Sequence, residues 1–311
     1  MAEESGIAWT RSTFNPWIGC TKVGPGCDHC YAENQDSRKR WGGVAHWGPG
    51  VARMRTGAGN WAGPVKWNKQ APSSEFAGRP GFWPVFCASL ADVFDNEVDP
   101  AWRQDLWGLV LATPNLSWLL VTKRVGNVAR MVPAEWMADG FPANVRLLIT
   151  VVDQEEADRD VPKLLALPCR NGISYEPALG PVDWWPWLCP HAHVDWSRGR
   201  KRKEPTVVER KAVIDLLRTS YYQMGGRLIE WIIVGGESAQ GAPARPFHLD
   251  WGRSTVRQGR MAGVPVFVKQ IGSRAQSSPE EAVQYGQMMR DRAGADPAEW
   301  PLDLRVREFP V

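Results

Sequence analysis

The sequence predicts an α/β fold: a full or partial (β/α) TIM-like barrel preceded by an N-terminal cysteine loop. Three observations carry that expectation. From residue 83 onward, short apolar runs alternate with stretches of helical periodicity, six times over. Apolar strands alternating with helices argue for a parallel sheet covered on both faces. Polar or charged residues follow the apolar runs, as they do at the C-terminal mouth of a barrel, where active sites sit. Ahead of the repeats, NPWIGCTKVGPGCDHCYAEN places Cys20, Cys27 and Cys30 among glycines and prolines. A doubly wound open sheet is the second architecture that this pattern allows.

The elements follow in order. Residues 41–82 are rich in Gly, Pro, Trp and Arg and hold no period, so an irregular excursion with at most one short helix is expected. Residues 83–94 read as a strand running into a loop, 100–113 as a helix, 117–124 as a strand and 126–138 as a short helix. A strand over 145–153 precedes a helix over 154–167, whose early acids suit the helix dipole. A strand over 172–183 and a basic, Trp/Pro-rich insertion over 184–205 come next. Then follow a helix over 206–225, a strand over 229–238, a helix over 248–263 and a strand over 264–272. The whole chain, 1–311, is expected to form one domain.

Composition narrows the class. With 311 residues, 43% hydrophobic and 23% charged, the chain is long enough for a sizeable core and reads as globular. No apolar run approaches the roughly 20 residues that span a bilayer, and MAEESGIAWTRS lacks the apolar region of a signal peptide. A cytoplasmic protein without membrane partners is the expectation. Disulfides are then disfavoured, and close cysteines read as metal ligands or redox groups. A net charge of +3 neither demands nor excludes a polyanion. The eighteen tryptophans read as core and interface packing.

Three thiols are odd for disulfides and one short of a closed structural zinc site. Thiolates suit zinc or iron–sulfur clusters. A [4Fe–4S] cluster usually takes four cysteines, so three leave one iron open to a substrate or cofactor. Gly24, Pro25 and Gly26 let the loop fold back. Zinc stays open as well: His29 lies between two of the cysteines, and CPHAH supplies Cys189, His191 and His193. CPHAH otherwise reads as a surface loop. Cys87 and Cys169 read as core residues.

The ordered set NPWIGCTKVGPGCDHCYAEN, ASLADVFD (88–95), LLVTKR (119–124), ISYEPALGP (173–181), GGESAQGAPARP (235–246) and VPVFVKQIG (264–272) resembles a phage-associated family of bacterial and phage proteins with three N-terminal cysteines, of the radical-SAM-like type. That resemblance implies a radical SAM barrel and a [4Fe–4S] cluster on Cys20, Cys27 and Cys30. It implies an enzyme that cleaves S-adenosylmethionine to a deoxyadenosyl radical, with an electron donor such as a flavodoxin or ferredoxin. Candidates for cofactor contact are then the strand-end residues Ser89, Asp92, Lys123, Glu176, Gly235, Gly236, Glu237, Ser238 and Lys269. Six residues separate Cys20 from Cys27 where the pattern has three. The Gly-Gly-Glu follows a late strand rather than the second, which leaves Glu237 open to cofactor, substrate or neither.

The substrate class rests on one further feature. Arg198, Arg200, Lys201, Arg202 and Lys203 form a basic run inside the insertion, suited to DNA or RNA phosphates. Nucleic-acid modification or repair is the favoured reaction. Two alternatives stand beside it: a non-catalytic, metal-stapled nucleic-acid-binding protein of phage origin, and a radical enzyme acting on a small molecule or peptide.

Overall fold

The computed structural model describes residues 3–38, 41–74, 83–189, 207–238, 243–277 and 288–310, without the side chains of 207–210. The chain falls into two compact units. Unit 1 comprises residues 1–151, 167–174 and 239–244; unit 2 comprises 152–166, 175–238 and 245–311.

In unit 1 the elements run β1 (Ser12–Thr13), β2 (Trp17–Ile18), α1 (Tyr31–Ser37), β3 (Met54–Arg55), α2 (Ala58–Gln70), β4 (Trp83–Cys87), α3 (Pro100–Ala112), β5 (Leu116–Thr122), α4 (Val128–Met131), α5 (Ala134–Asp139), β6 (Val145–Thr150) and β7 (Arg170–Tyr175). Five strands pair in parallel in the order β1-β4-β5-β6-β7. Ser12 lies opposite Val85, Val85 opposite Trp118, and Trp118 opposite Val145. All six residues of β6 are buried, as expected of a parallel strand covered on both faces. β2 and β3 form a separate antiparallel pair. Phe14 packs edge-on against Trp61 and Trp118 at 5.5 and 5.7 Å. The Trp118 indole donates to Thr113 Oγ1 at 3.0 Å, so its polar edge is satisfied inside the core.

Unit 2 holds α6 (Gln154–Leu165), α7 (Trp185–Leu188), α8 (Val207–Gln223), β8 (Ile232–Gly235), β9 (Phe247–His248), α9 (Leu249–Ala262), β10 (Val266–Gln270) and β11 (Ala275–Gln276). β8 and β10 pair in parallel, with a register shift between Val268 and Gln270; β9 and β11 form a short parallel pair. Asp153 caps α6 by accepting from the Glu156 N–H at 2.9 Å. α9 buries Leu249, Val256 and Ala262 and ends at Gly263 in the left-handed conformation. The core centres on Trp184, Trp231 and Trp300, each fully buried with its indole N–H donated to a protein oxygen.

The chain is thus a mixed α/β protein in which parallel strands alternate with helices. Every expected repeat has its strand and helix, and three local expectations change. The irregular excursion contains α2, a full thirteen-residue helix. Its Gly-rich start is held by tertiary contacts that override weak propensity: Asn60 donates to the Asn15 carbonyl, and Arg55 stacks on Trp61. The single helix expected over 126–138 is two short ones, split at Val132 and Pro133, because proline cannot continue the helix. β1, which no periodicity announced, precedes the cysteines. No helix among the described residues is long and apolar enough to cross a membrane.

Candidate functional site

The cysteine loop leaves the sheet of unit 1 just after β1 and β2. Gly19 starts it, with φ at +111°. A Cβ there would lie 2.3 Å from the His46 carbonyl oxygen, so only glycine lets the two segments meet. The Gly19 N–H donates to the Leu90 carbonyl, and the Gly48 N–H to the Cys20 carbonyl. A single 3-10 turn over Pro25–Cys27 reverses the chain, and Cys30 leads into α1. Cys27 is buried, and Cys20 and Cys30 are half-buried. Next to Cys30, the Tyr31 hydroxyl donates to the Ser89 carbonyl at 2.6 Å. His46, in the segment facing Gly19, is held by Asp36, whose carboxylate accepts from the His46 N–H at 2.6 Å and lies 2.9 Å from Nδ1.

Two arginines fasten this loop to the ends of β4 and β5. Arg124 donates to Cys20 Sγ at 3.3 Å, to the Thr21 carbonyl at 2.7 Å and to Asp92 Oδ2 at 3.2 Å. Arg53 donates to Thr21 Oγ1 and to Asp95 Oδ2, at 2.7 and 2.8 Å. Asp92 is itself fixed: it accepts from the Thr122 hydroxyl at 2.8 Å and from the N–H groups of Phe94 and Lys123 at 2.9 and 3.0 Å. These charges are nearly solvent-free, with Asp92 5% exposed and Asp95 2%. Burial opposes the charge on Arg124, but Asp92, the Cys20 sulfur and Asp95 outweigh it and hold the guanidinium above the usual arginine range. Desolvation, followed by the Asp92 charge, pushes the Cys20 thiol up to about 12, against the pull of Arg124.

The donor set fits a thiophilic metal. Three thiols lie on one eleven-residue loop, and a guanidinium already donates to one sulfur, as it would to a thiolate. Among the described residues, no group of three or more His, Cys, Asp or Glu side chains is gathered as a metal-ion site would require. Cys87 and Cys169 are buried, as expected. Cys189 is also fully buried, at the end of α7 in unit 2, rather than on the surface loop that CPHAH suggested; apolar Trp187 and Leu188 carry it inward. His191 and His193 lie outside the described residues.

The remaining strand-end candidates belong to unit 2. Glu176, just past Tyr175, pairs with Lys269 of β10 at 3.0 Å. Gly235 has the Glu176 carboxylate 2.9 Å from where a Cβ would stand. At Gly236 a Cβ would meet the Ile271 carbonyl oxygen at 2.6 Å, so Gly236 is required for backbone packing between the ends of β8 and β10. Gln270 Nε2 closes that contact by donating to the Gly236 carbonyl at 2.7 Å. Glu237 is held by Arg245, which donates its Nη2 to Oε1 at 2.7 Å and its backbone N–H to Oε2 at 2.8 Å. Ser238 ends the described stretch.

In unit 1, therefore, Cys20 and Asp92 share Arg124, and Ser89 meets the residue beside Cys30. Lys123 contributes its backbone N–H to Asp92, while its ammonium has no partner among the described residues. In unit 2, Glu176 and Lys269 pair, and Glu237 is taken by Arg245. Arg53, Arg124, Asp95 and Arg245 were not anticipated. Arg124 and Asp95 had a signal, since each adjoins a polar strand end. Arg53, in the irregular excursion, had none. The basic run Arg198, Arg200, Lys201, Arg202 and Lys203 lies outside the described residues.

No curated protein matches the chain. Among solved structures, it is similar to a mutant of spore photoproduct lyase, with 11% identity and a TM-score of 0.39, covering 75% of this chain and 57% of that one. It is similar also to spore photoproduct lyase complexed with dinucleoside spore photoproduct, with 10% identity and a TM-score of 0.38, covering 82% and 62%. The chain thus spans about 57–62% of the length of those structures. A protein-family comparison matches residues 4–300 to the family described as "Protein of unknown function (DUF5131)", and the chain belongs to that family.

Proposed function

We propose that this chain is an iron–sulfur enzyme of the radical SAM type acting on nucleic acid, built on a partial (β/α) barrel. Cys20, Cys27 and Cys30 hold a [4Fe–4S] cluster and leave one iron without a protein ligand. When bound, the cluster and S-adenosylmethionine supply reductive, radical-generating chemistry. The observation that carries this reading is the attachment of the cysteine loop. It follows the first parallel strand and is tied by buried arginines to the ends of the next two in the sheet.

The chain's own residues then have distinct tasks. Arg124 keeps positive charge beside the Cys20 sulfur, which favours a thiolate ligand, and Asp92 holds Arg124 in place. Closing all three thiols on a metal requires the loop to draw inward, which its glycines permit. Lys123 offers its ammonium to the carboxylate of the cofactor. Ser89, and in unit 2 Glu176, Gly235, Gly236, Glu237, Ser238 and Lys269, remain candidates for cofactor contact. Glu237 must release Arg245 to take that part. The basic run from Arg198 to Lys203 meets the nucleic-acid backbone, and a flavodoxin- or ferredoxin-type protein supplies the electron.

The test is cleavage of S-adenosylmethionine by anaerobic, reduced protein in the presence of short DNA and RNA duplexes. 5′-Deoxyadenosine and methionine should form, and Cys30→Ala should abolish both. An intact, reduced cluster that yields no deoxyadenosine would leave a metal-stapled nucleic-acid-binding protein as the better reading.

A further inference from the structure

The segment that carries Asp92 and Asp95 continues into a cleft of about 260 Å³ at the start of α3. Asn96, Pro100, Arg103, Gln104 and Arg130 are among the residues that line it. Arg103 is only 5% exposed. Its Nε donates to the Val93 carbonyl at 2.9 Å and its Nη2 to the Asp95 carbonyl at 2.8 Å. Those bonds fix the plane of the guanidinium, while Nη1 has no partner among the described residues. Nη1 is not one of the buried polar atoms left without a partner, so it is open to solvent at the cleft and can donate to an anion that enters it.

Arg130 is exposed and is oriented by neutral groups. One amino group, Nη2, donates to the side-chain oxygens of Asn96 and Asn127, both at 2.6 Å. Asn127 is fixed in turn by donating to the Phe94 carbonyl at 2.8 Å. The charge is therefore positioned without being neutralised, and Nε and Nη1 are free among the described residues. The Gln104 side chain likewise has no partner among them. The first turn of α3 is already capped, with Asp99 accepting from the Ala101 N–H at 2.8 Å, so the side chains alone supply the donors for an anion. No carboxylate is among the described residues that line the cleft.

We propose that this cleft is an oxyanion site that binds a phosphate group through Arg103, Gln104 and Arg130. Guanidinium forks match phosphate oxygens in geometry and charge, and the cleft exceeds by several-fold the roughly 30 Å³ of one water molecule. Asp95 links the cleft to the cysteine loop: its carbonyl accepts from Arg103, and its carboxylate accepts from Arg53, which holds Thr21. The cleft argument needs no metal. The phosphate can belong to a small phosphate ester or to a nucleic-acid backbone, and only the second source rests on the function proposed above.

Calorimetric titration of the whole protein with inorganic phosphate, at an ionic strength matched with chloride, tests the site. Wild type should bind, and Arg130→Gln should weaken binding at least fivefold. Lys69→Gln, on the exposed end of α2, should leave it unchanged. Arg103→Lys should weaken binding further; should that variant misfold, Arg130→Gln still decides. The absence of phosphate binding above chloride, or equal affinity in wild type and Arg130→Gln, overturns the proposal. A ten-residue oligothymidylate then separates the sources. If phosphate competes with it and Arg130→Gln lowers its salt slope by about 0.7, the backbone is the ligand. If phosphate binds without competing, the ligand is a small phosphate ester. Either result supports the oxyanion site, and neither depends on deoxyadenosine formation.

Discussion

Both units place charged residues at strand ends, but they use them in opposite ways. In unit 2 the charges satisfy one another: Glu176 pairs with Lys269, and Glu237 with Arg245. In unit 1, Arg124 and Arg53 are anchored by Asp92 and Asp95 and still reach outward, to the Cys20 sulfur and to Thr21. A charge after a strand is therefore not in itself a site. It becomes one when its partners fix it and leave a donor for a reactive group.

The largest test of that contrast is to remove an anchor. Asp92→Ala leaves Arg124 buried with one carboxylate fewer and strands the N–H groups of Phe94 and Lys123. A cost of about 3–5 kcal/mol is expected, read by urea unfolding, together with loss of metal uptake on reconstitution. The counterpart in unit 2 should be milder. Glu237→Gln weakens a partly exposed pair, with Arg245 24% exposed, at a cost of about 1–2 kcal/mol. Metal content should stay at the wild-type level. Equal losses of metal in the two variants would erase the distinction.

The smallest expected effect lies in α6 of unit 2, where the charges serve stability alone. Burial opposes the charge on Asp160, but hydrogen bonds from Arg159 and Lys163 outweigh it and hold the carboxyl below its ordinary value of 3.8. A carboxyl depressed in the folded state adds stability above that ordinary value, and the gain is lost as the pH falls through the folded one. Asp160→Asn should therefore cost about 0.5–1 kcal/mol at pH 7. The difference from wild type should shrink once the pH drops below about 4. Thermal unfolding at pH 7 and pH 3 reads both.

How far the sequence reveals all this depends on what each residue answers to. Strands such as β6, buried on both faces and mostly apolar, declare themselves, because burial sets their composition. β1 is two residues, serine and threonine, and exists because β4 pairs with it, so no local pattern marks it. α2 begins at Ala58, between Gly57 and Gly59, and is held by contacts of Asn60 with Asn15 and of Trp61 with Phe14, both distant in sequence. At the site, the cysteines are visible because their spacing is chemistry. Asp92 is visible as a polar strand end, but its four acceptor contacts are not. Gly235 and Gly236 look like a cofactor loop in sequence, while the structure gives Gly236 a packing reason, since a Cβ there would stand 2.6 Å from a backbone oxygen. Arg53 lies in an aperiodic stretch, and only the folded chain brings it to Asp95.

The central claim is that Cys20, Cys27 and Cys30 together hold an iron–sulfur cluster. Metal and sulfide analysis of anaerobically purified protein tests it most directly. Iron and acid-labile sulfide should appear in equal amounts, roughly four of each per chain. Each of Cys20→Ala, Cys27→Ala and Cys30→Ala should lose them, while Cys87→Ala, deep in β4, should keep them. Stoichiometric zinc with no sulfide in the wild-type protein, or a full cluster in any of the three single variants, would contradict the account.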